Sequence, residues 1–188
     1  MVKEEKSDKH FPLFAHDNIF RRLFGNPKKY CDYVDKGQIV ADLGCGPGFY
    51  TFALSEKVGL EGKVYAVDSD KKAIKRMEKK LQKHNYQNIQ TYSSSASDLN
   101  FIQDNSVDFV LVNGLLCSMT PTQHDQTIKE ISRILRPNGK AYLSASRGSW
   151  SYVDKVGWEK ILEGFSVEKR DDGSLGGDRW AVVSKKPK

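Results

Sequence analysis

V-A-D-L-G-C-G-P-G-F-Y-T, from Val40 to Thr51, decides the fold. A short apolar run, Ile39–Leu43, breaks into Gly44, Gly46 and Gly48. A helical segment through Lys57 follows, closed by Gly59. An apolar run of five residues suits a strand buried on both faces. Glycines directly after it let the backbone turn tightly and let a ligand approach it closely. The helix beyond presents free amide donors toward that ligand.

The same alternation continues outward. Val64–Val67 is a second run, and Asp70–His84 a helix with Ile74, Met77 and Leu81 spaced for one buried face. Ile89–Tyr92 and Phe109–Val112 are the third and fourth runs. Thr120-Pro121-Thr122-Gln123 has the form of a capping box, with Ile128, Ile131 and Leu135 as the buried stripe behind it. Pro137-Asn138-Gly139 is expected to end that helix before a fifth run, Lys140–Ser144. A weaker helix over Asp154–Leu162 leads to runs at Phe165–Arg170 and Arg179–Ser184. Upstream, Asn26-Pro27 reads as a helix start, with Tyr30, Cys31 and Val34 as its apolar stripe. Strands alternating with helices predict an α/β, doubly wound, seven-stranded and mainly parallel sheet. The last two runs share only a glycine-rich turn, so the last strand is expected to be antiparallel.

Length and composition narrow the class. The chain has 188 residues, enough for one domain: residues 1–15 read as a loose N-terminal leader and 16–188 as a single domain. Aromatic residues at 11% argue for a packed globule over disorder. No apolar run approaches the roughly 18–20 residues of a membrane helix. The first residues lack the apolar stretch of a secretory signal, so no membrane association and a cytoplasmic location are expected. The net charge of +6 is spread over a polar leader, the chain end and Lys71, Lys72, Lys75, Lys79, Lys80 and Lys83 on the exposed face of one helix. Nucleic acid as a partner is therefore only weakly supported. Cys31, Cys45 and Cys117, with four histidines, show no ligand spacing, so no metal is expected.

The chemistry lies in the spacing of the loop. A dinucleotide fingerprint, G-x-G-x-x-G/A, needs a third small residue where this chain has Phe49. Asp42 stands two residues before the first glycine. A carboxylate there would repel a pyrophosphate but suits a ligand carrying an ammonium and a sulfonium. With these features, D-L-G-C-G-P-G resembles the first motif of the class I S-adenosylmethionine-dependent methyltransferases in their small single-domain form. The resemblance covers roughly residues 15–145 and implies their Rossmann-like fold, their activity, and S-adenosyl-L-methionine as cofactor.

It also implies a site. Gly44, Cys45, Gly46, Pro47 and Gly48 would hold the methionine part, with Asp42 on its amino group and Thr51 touching the ligand from the helix start. Asp68, ending the second run, would clamp the ribose with Ser69 beside it, since a carboxylate can accept two hydrogen bonds from vicinal hydroxyls. Ser95 and Ala96 stand where the family often has the aspartate and alanine of G-D-A. Ser95 is a weaker acceptor for an adenine amino group than a carboxylate. Asn113 and Gly114 would line the methionine end through backbone carbonyls. No general base is identifiable, so the catalytic residues are unknown.

Loops after the later strands should hold the acceptor, with Arg147, Trp150 and Tyr152 as contacts. Phe11, Phe14 and His16 are candidates for an N-terminal lid or for core packing. A small-molecule acceptor is favoured, because no recognition domain is evident. RNA or protein methylation and a non-catalytic cofactor-binding module remain as alternatives. A nicotinamide-dependent oxidoreductase is disfavoured by Phe49. Acceptor atom and oligomeric state cannot be read from the sequence.

Overall fold

Strand β1 (Ile39–Leu43) lies at the centre of a sheet whose order is β3-β2-β1-β4-β5-β7-β6. The structure is a computed structural model that describes residues 26–147, 151, 153–173 and 177–186. The other strands are β2 (Lys63–Asp68), β3 (Ile89–Ser93), β4 (Val107–Asn113), β5 (Leu135–Ala145), β6 (Phe165–Asp171) and β7 (Arg179–Lys185). Helices α1 (Thr51–Val58), α2 (Lys71–His84), α3 (Pro121–Ile134) and α4 (Lys155–Leu162) lie between them. The β1–β2, β2–β3, β1–β4 and β4–β5 pairs are parallel, while β7 runs antiparallel to both β5 and β6. This is the α/β, Rossmann-like methyltransferase sheet. The strand order reverses at β1, where outward winding changes direction and opens a crevice at the strand carboxyl ends.

Side chains alternate across each strand, so one sheet feeds two cores. Ala41, Leu43, Val110 and Val112 face one cluster with Ile131 and Ile134 of α3 and Trp158 of α4. Val40, Phe109 and Leu111 face the other with Leu54 and Val58 of α1 and Ile74 and Met77 of α2. Local signals set the helix ends. The Asp70 side chain caps α2 by accepting from Lys72 N at 2.8 Å, and Asn85 closes that helix in the left-handed region at φ 52°. Thr120 and Gln123 form the expected capping box on α3, and Asp154 caps α4 through Gly157 N.

Three expectations change. Asn26 does accept from Lys28 N at 2.9 Å, but only one turn of 3-10 helix forms, over Cys31–Tyr33. Tyr30 and Val34 are both buried, and Gly37 at φ 82° turns the chain into β1. Too few residues remain for a longer helix to nucleate. Second, α3 ends at Ile134, and Pro137-Asn138-Gly139 lies inside β5. The register against β4 slips between Val107↔Leu135 and Phe109↔Lys140. A residue before proline avoids the helical region, so Arg136 favours extension. A Cβ on Gly139 would stand 2.9 Å from the Val107 carbonyl, so glycine permits this close crossing. Third, Lys80 is half-buried and does not belong to the solvated lysine face: its Nζ donates to Pro47 O at 3.0 Å.

Candidate functional site

Parallel register brings the carboxyl ends of β1 and β2 level, with Leu43 opposite Val67. The chain then turns across the end of β2: Gly44 N and Cys45 N both donate to Val67 O, at 2.8 and 3.1 Å. That path needs positive φ at Gly44 (75°), Gly46 (54°) and Gly48 (94°). Side chains at these three positions would be strained. Asp68 fastens the loop: Oδ2 accepts from Gly46 N and Oδ1 from Asp70 N, each at 2.8 Å. A carboxylate oxygen has two acceptor positions, so one on each oxygen remains for a ligand. Asp42 is 3% exposed and accepts the Thr51 hydroxyl at 2.6 Å, a charge-assisted length. Thr51 is fully buried, so its hydroxyl orients Asp42. Burial, and then the Asp42 and Asp68 charges, push the Cys45 thiol well above its ordinary range. Cys45 therefore contributes backbone and packing, not a thiolate.

At the end of β4, the Asn113 side-chain oxygen accepts from Tyr30 OH at 2.8 Å and from Ser144 Oγ at 3.0 Å. Burial keeps the Tyr30 phenol protonated and able to donate. Gly114 N donates to Ser144 Oγ at 3.0 Å, so Ser144 joins both residues at the strand end. A Cβ built on Gly114 (φ 73°) meets nothing within 4 Å, whereas one on Gly44 would meet Leu115 Cβ at 3.0 Å. Among the described residues, open space therefore adjoins Gly114. The Gly114 carbonyl, expected to face a ligand, accepts from Cys117 Sγ at 2.8 Å. After β3, the Ser95 and Ser97 hydroxyls pair at 2.7 Å, Ala96 is buried, and Ser69 beside Asp68 is exposed.

His124 of α3 holds the turn after β4 by donating from Nε2 to Leu116 O at 2.7 Å. Burial, the largest influence, lowers its pKa below the usual value of about 6.5. The unfolded chain then binds the proton more readily than the fold does. The stabilisation is complete above about pH 6.5 and is lost as pH falls through the window below. The melting temperature should drop between about pH 7 and 5.5, and the drop should be smaller in His124→Gln, which can still donate to Leu116. Equal drops in the two proteins would remove His124 as the cause.

A family model described as a methyltransferase domain matches residues 34–166, which include β1 to β5 and the loop. The chain belongs to the S-adenosylmethionine-dependent methyltransferases. Among curated relatives of this methyltransferase, a demethylmenaquinone methyltransferase of Lactobacillus johnsonii is 33% identical over 133 residues, covering 70% of this chain and 53% of that protein. One from Geobacillus stearothermophilus is 34% identical over 106 residues, covering 56% and 44%. The chain thus spans about half the length of the curated relatives it matches. Solved structures share the fold. A protein from Pyrococcus horikoshii has a TM-score of 0.76 at 18% identity, covering 97% of this chain and 99% of that one. A SAM-dependent methyltransferase from Aquifex aeolicus has a TM-score of 0.71 at 22% identity, covering 91% and 96%.

The methyltransferase family implies S-adenosyl-L-methionine, and the donor set here suits it. Two carboxylates answer an ammonium and a pair of hydroxyls, and the glycine path leaves room for close backbone contact. The structure brings Asp42, Gly44, Cys45, Gly46, Pro47, Gly48, Thr51 and Asp68 together around one loop. Arg147 follows β5 and donates to Gly173 O, on the side of the sheet away from β2. Trp150, Tyr152 and the candidate lid residues Phe11, Phe14 and His16 lie outside the described residues. Tyr30, Lys80 and Ser144 brace the candidate site without any local motif to announce them. Among the described residues, no helix is long and apolar enough to cross a membrane, and no three His, Cys, Asp or Glu side chains group to hold a metal ion.

Proposed function

We propose that this chain transfers the methyl group of S-adenosyl-L-methionine to a small-molecule acceptor. The observation that carries the reading is the Asp68 carboxylate, tied to Gly46 N–H and Asp70 N–H with acceptor capacity left on both oxygens. A group so held would grip the ribose hydroxyls without rearranging, and the cofactor would then lie along the glycine loop. Asp42, oriented by Thr51, would take the ammonium of the methionine part. Ser95 and the Ala96 backbone, with Ser69 at the rim, would meet the adenosine end. Asn113 and Gly114 would border the methyl group.

The cofactor supplies a sulfonium leaving group, so the electronics of transfer reside in it. This chain's residues have to fix the methyl carbon's position and keep the acceptor in line with it. No described side chain is assigned as a base, and the acceptor's proton, where it has one, would pass to solvent. A small acceptor is supported by the curated relatives, which are named for methylation of demethylmenaquinone. The test incubates the protein with methyl-labelled cofactor and separated small-molecule, RNA and protein fractions of an extract. Label should enter the small-molecule fraction as S-adenosylhomocysteine accumulates in equal amount. Label in RNA or protein would overturn the acceptor class. Cofactor binding without transfer to any fraction would leave a binding module instead.

A further inference from the structure

A second cavity, of about 230 Å³, is lined by Arg147, Lys155, Trp158, Glu159, Asp172 and Arg179. Arg147 follows β5, Asp172 follows β6 and Arg179 opens β7. Because β7 runs against its neighbours, all three stand at the sheet's carboxyl edge, the edge that carries the glycine loop. Lys155, Trp158 and Glu159 come from α4. A water takes up about 30 Å³ of liquid, so the space could hold a group several times that size.

The lining is charged on both sides, and its two acids share one ion-pair partner, Arg170. Arg170 holds Glu159 (Nη2 to Oε1 2.5 Å, Nη1 to Oε2 3.1 Å) and Asp172 (Nη2 to Oδ2 2.6 Å, Nε to Oδ1 3.0 Å). That pairing is the main cause of both carboxyls lying below their usual range. Arg147 donates to Gly173 O and Arg179 to Val153 O, both neutral carbonyls. Among the described residues, neither they nor Lys155 form an ion pair. Four cations, Arg147, Lys155, Arg170 and Arg179, thus stand against two carboxylates, and the net charge at the cavity is positive.

A second observation points the same way. Trp158 is fully buried, and its Nε1 is the one buried side-chain nitrogen or oxygen among the described residues without a hydrogen-bond partner. The Asp172 carboxylate lies beside that indole, which helps Arg170 to hold it below its usual range. Leaving a buried donor unmatched is costly, and native proteins usually match such groups with protein, water or ligand. Two guanidinium groups and an ammonium, with the Trp158 indole beside them, form a donor set for oxygen anions.

Resting on the methyl-transfer reading above, we propose that this cavity is the subsite for a carboxylate or phosphate group of the methyl acceptor, held by Arg147, Arg179 and the Trp158 indole. The acceptor would then lie between the glycine loop and this anchor, its anionic end away from the reacting atom. Among the described residues, the cavity joins Arg147, an acceptor contact expected from the sequence, to Arg179 and Trp158.

The test has two arms. Nitrogen-15 spectra of the tryptophan side chains, with the Trp158 signal identified by its loss in Trp158→Phe, are followed as inorganic phosphate or benzoate is added at constant ionic strength. A saturable shift is expected, weakened about tenfold in Arg147→Gln and in Arg179→Gln, since each removes one charge-assisted contact. S-adenosylhomocysteine affinity should stay within about twofold in both variants, as neither residue touches the glycine loop. A shift matched by chloride, or unchanged in the arginine variants, would overturn the site. In the second arm, the labelled product of the extract incubation should be retained on an anion exchanger, and a neutral product would overturn the acceptor assignment. If S-adenosylhomocysteine fails to bind the wild-type protein, the methyl-transfer reading fails, and the anion titration still decides whether the cavity takes an oxyanion.

Discussion

Asp68→Ala should weaken S-adenosylhomocysteine binding by about a hundredfold or more, measured by titration calorimetry. The wild-type carboxylate accepts from Gly46 N and Asp70 N and has one acceptor position left on each oxygen. Two hydroxyl contacts to a charged acceptor are each worth about 1.5–3 kcal/mol. Together they amount to roughly 3–6 kcal/mol, or two to four powers of ten in affinity. The alanine variant also leaves the buried Gly46 amide unmatched, so the loop itself should loosen and the melting temperature fall. Asp68→Asn separates the two effects. It keeps the shape and one oxygen but turns the other into a donor, which cannot accept from a backbone amide or serve a hydroxyl as the carboxylate does. Its loss should fall between those of wild type and alanine. A change below about threefold in the alanine variant would mean that Asp68 is only a loop fastener, and the ribose assignment would be withdrawn.

The part of the site that could be read from sequence is the part dictated by backbone geometry. Gly44, Gly46 and Gly48 follow a strand because only glycine takes that turn without strain, while Asp42 is the last but one residue of β1 and Asp68 the last of β2. Alternating apolar runs likewise revealed the sheet, and the glycine-rich turn before Arg179 revealed the antiparallel strand. What stayed hidden depends on contacts between distant positions. Tyr30 meets Asn113 across 83 positions and Ser144 meets it across 31, and neither has a local pattern. Lys80 looked like one more solvated lysine, because nothing in a helical period says that its ammonium reaches the Pro47 carbonyl. Arg170 stands on an exposed strand, and only the three-dimensional arrangement shows it bridging the two acids of the second cavity. The bulge in β5 was hidden for a different reason. Pro137-Asn138-Gly139 is a strong turn signal, but here it forms a bulge between two stretches paired with β4 instead of ending a helix.

Two glycines with similar backbone angles should behave differently when replaced. Gly48 has φ 94°, and a Cβ there would lie 2.6 Å from Phe52 Cε2. The Phe52 ring has little freedom to yield, because it packs on Tyr86 at 5.0 Å between centroids and lies under the Lys80 ammonium. Gly48→Ala therefore combines left-handed strain of about 1–3 kcal/mol with a steric overlap of similar size. For a chain of this length the melting temperature should fall by roughly 5–15 °C, and cofactor affinity should fall with it as the loop shifts. Gly114 has φ 73°, but the space around its missing Cβ is open among the described residues. Asparagine tolerates that backbone region better than other side chains, so Gly114→Asn should cost the fold at most about 1 kcal/mol. Its side chain would nevertheless enter the space assigned to the methionine end, and binding of S-adenosylhomocysteine should weaken by at least about tenfold, the equivalent of 1.4 kcal/mol. Thermal melts paired with titration calorimetry on the two variants would separate a loop that must keep its shape from a space that must stay empty. Unchanged affinity in Gly114→Asn would move the cofactor away from β4 and detach the methyl group from the acceptor route proposed above.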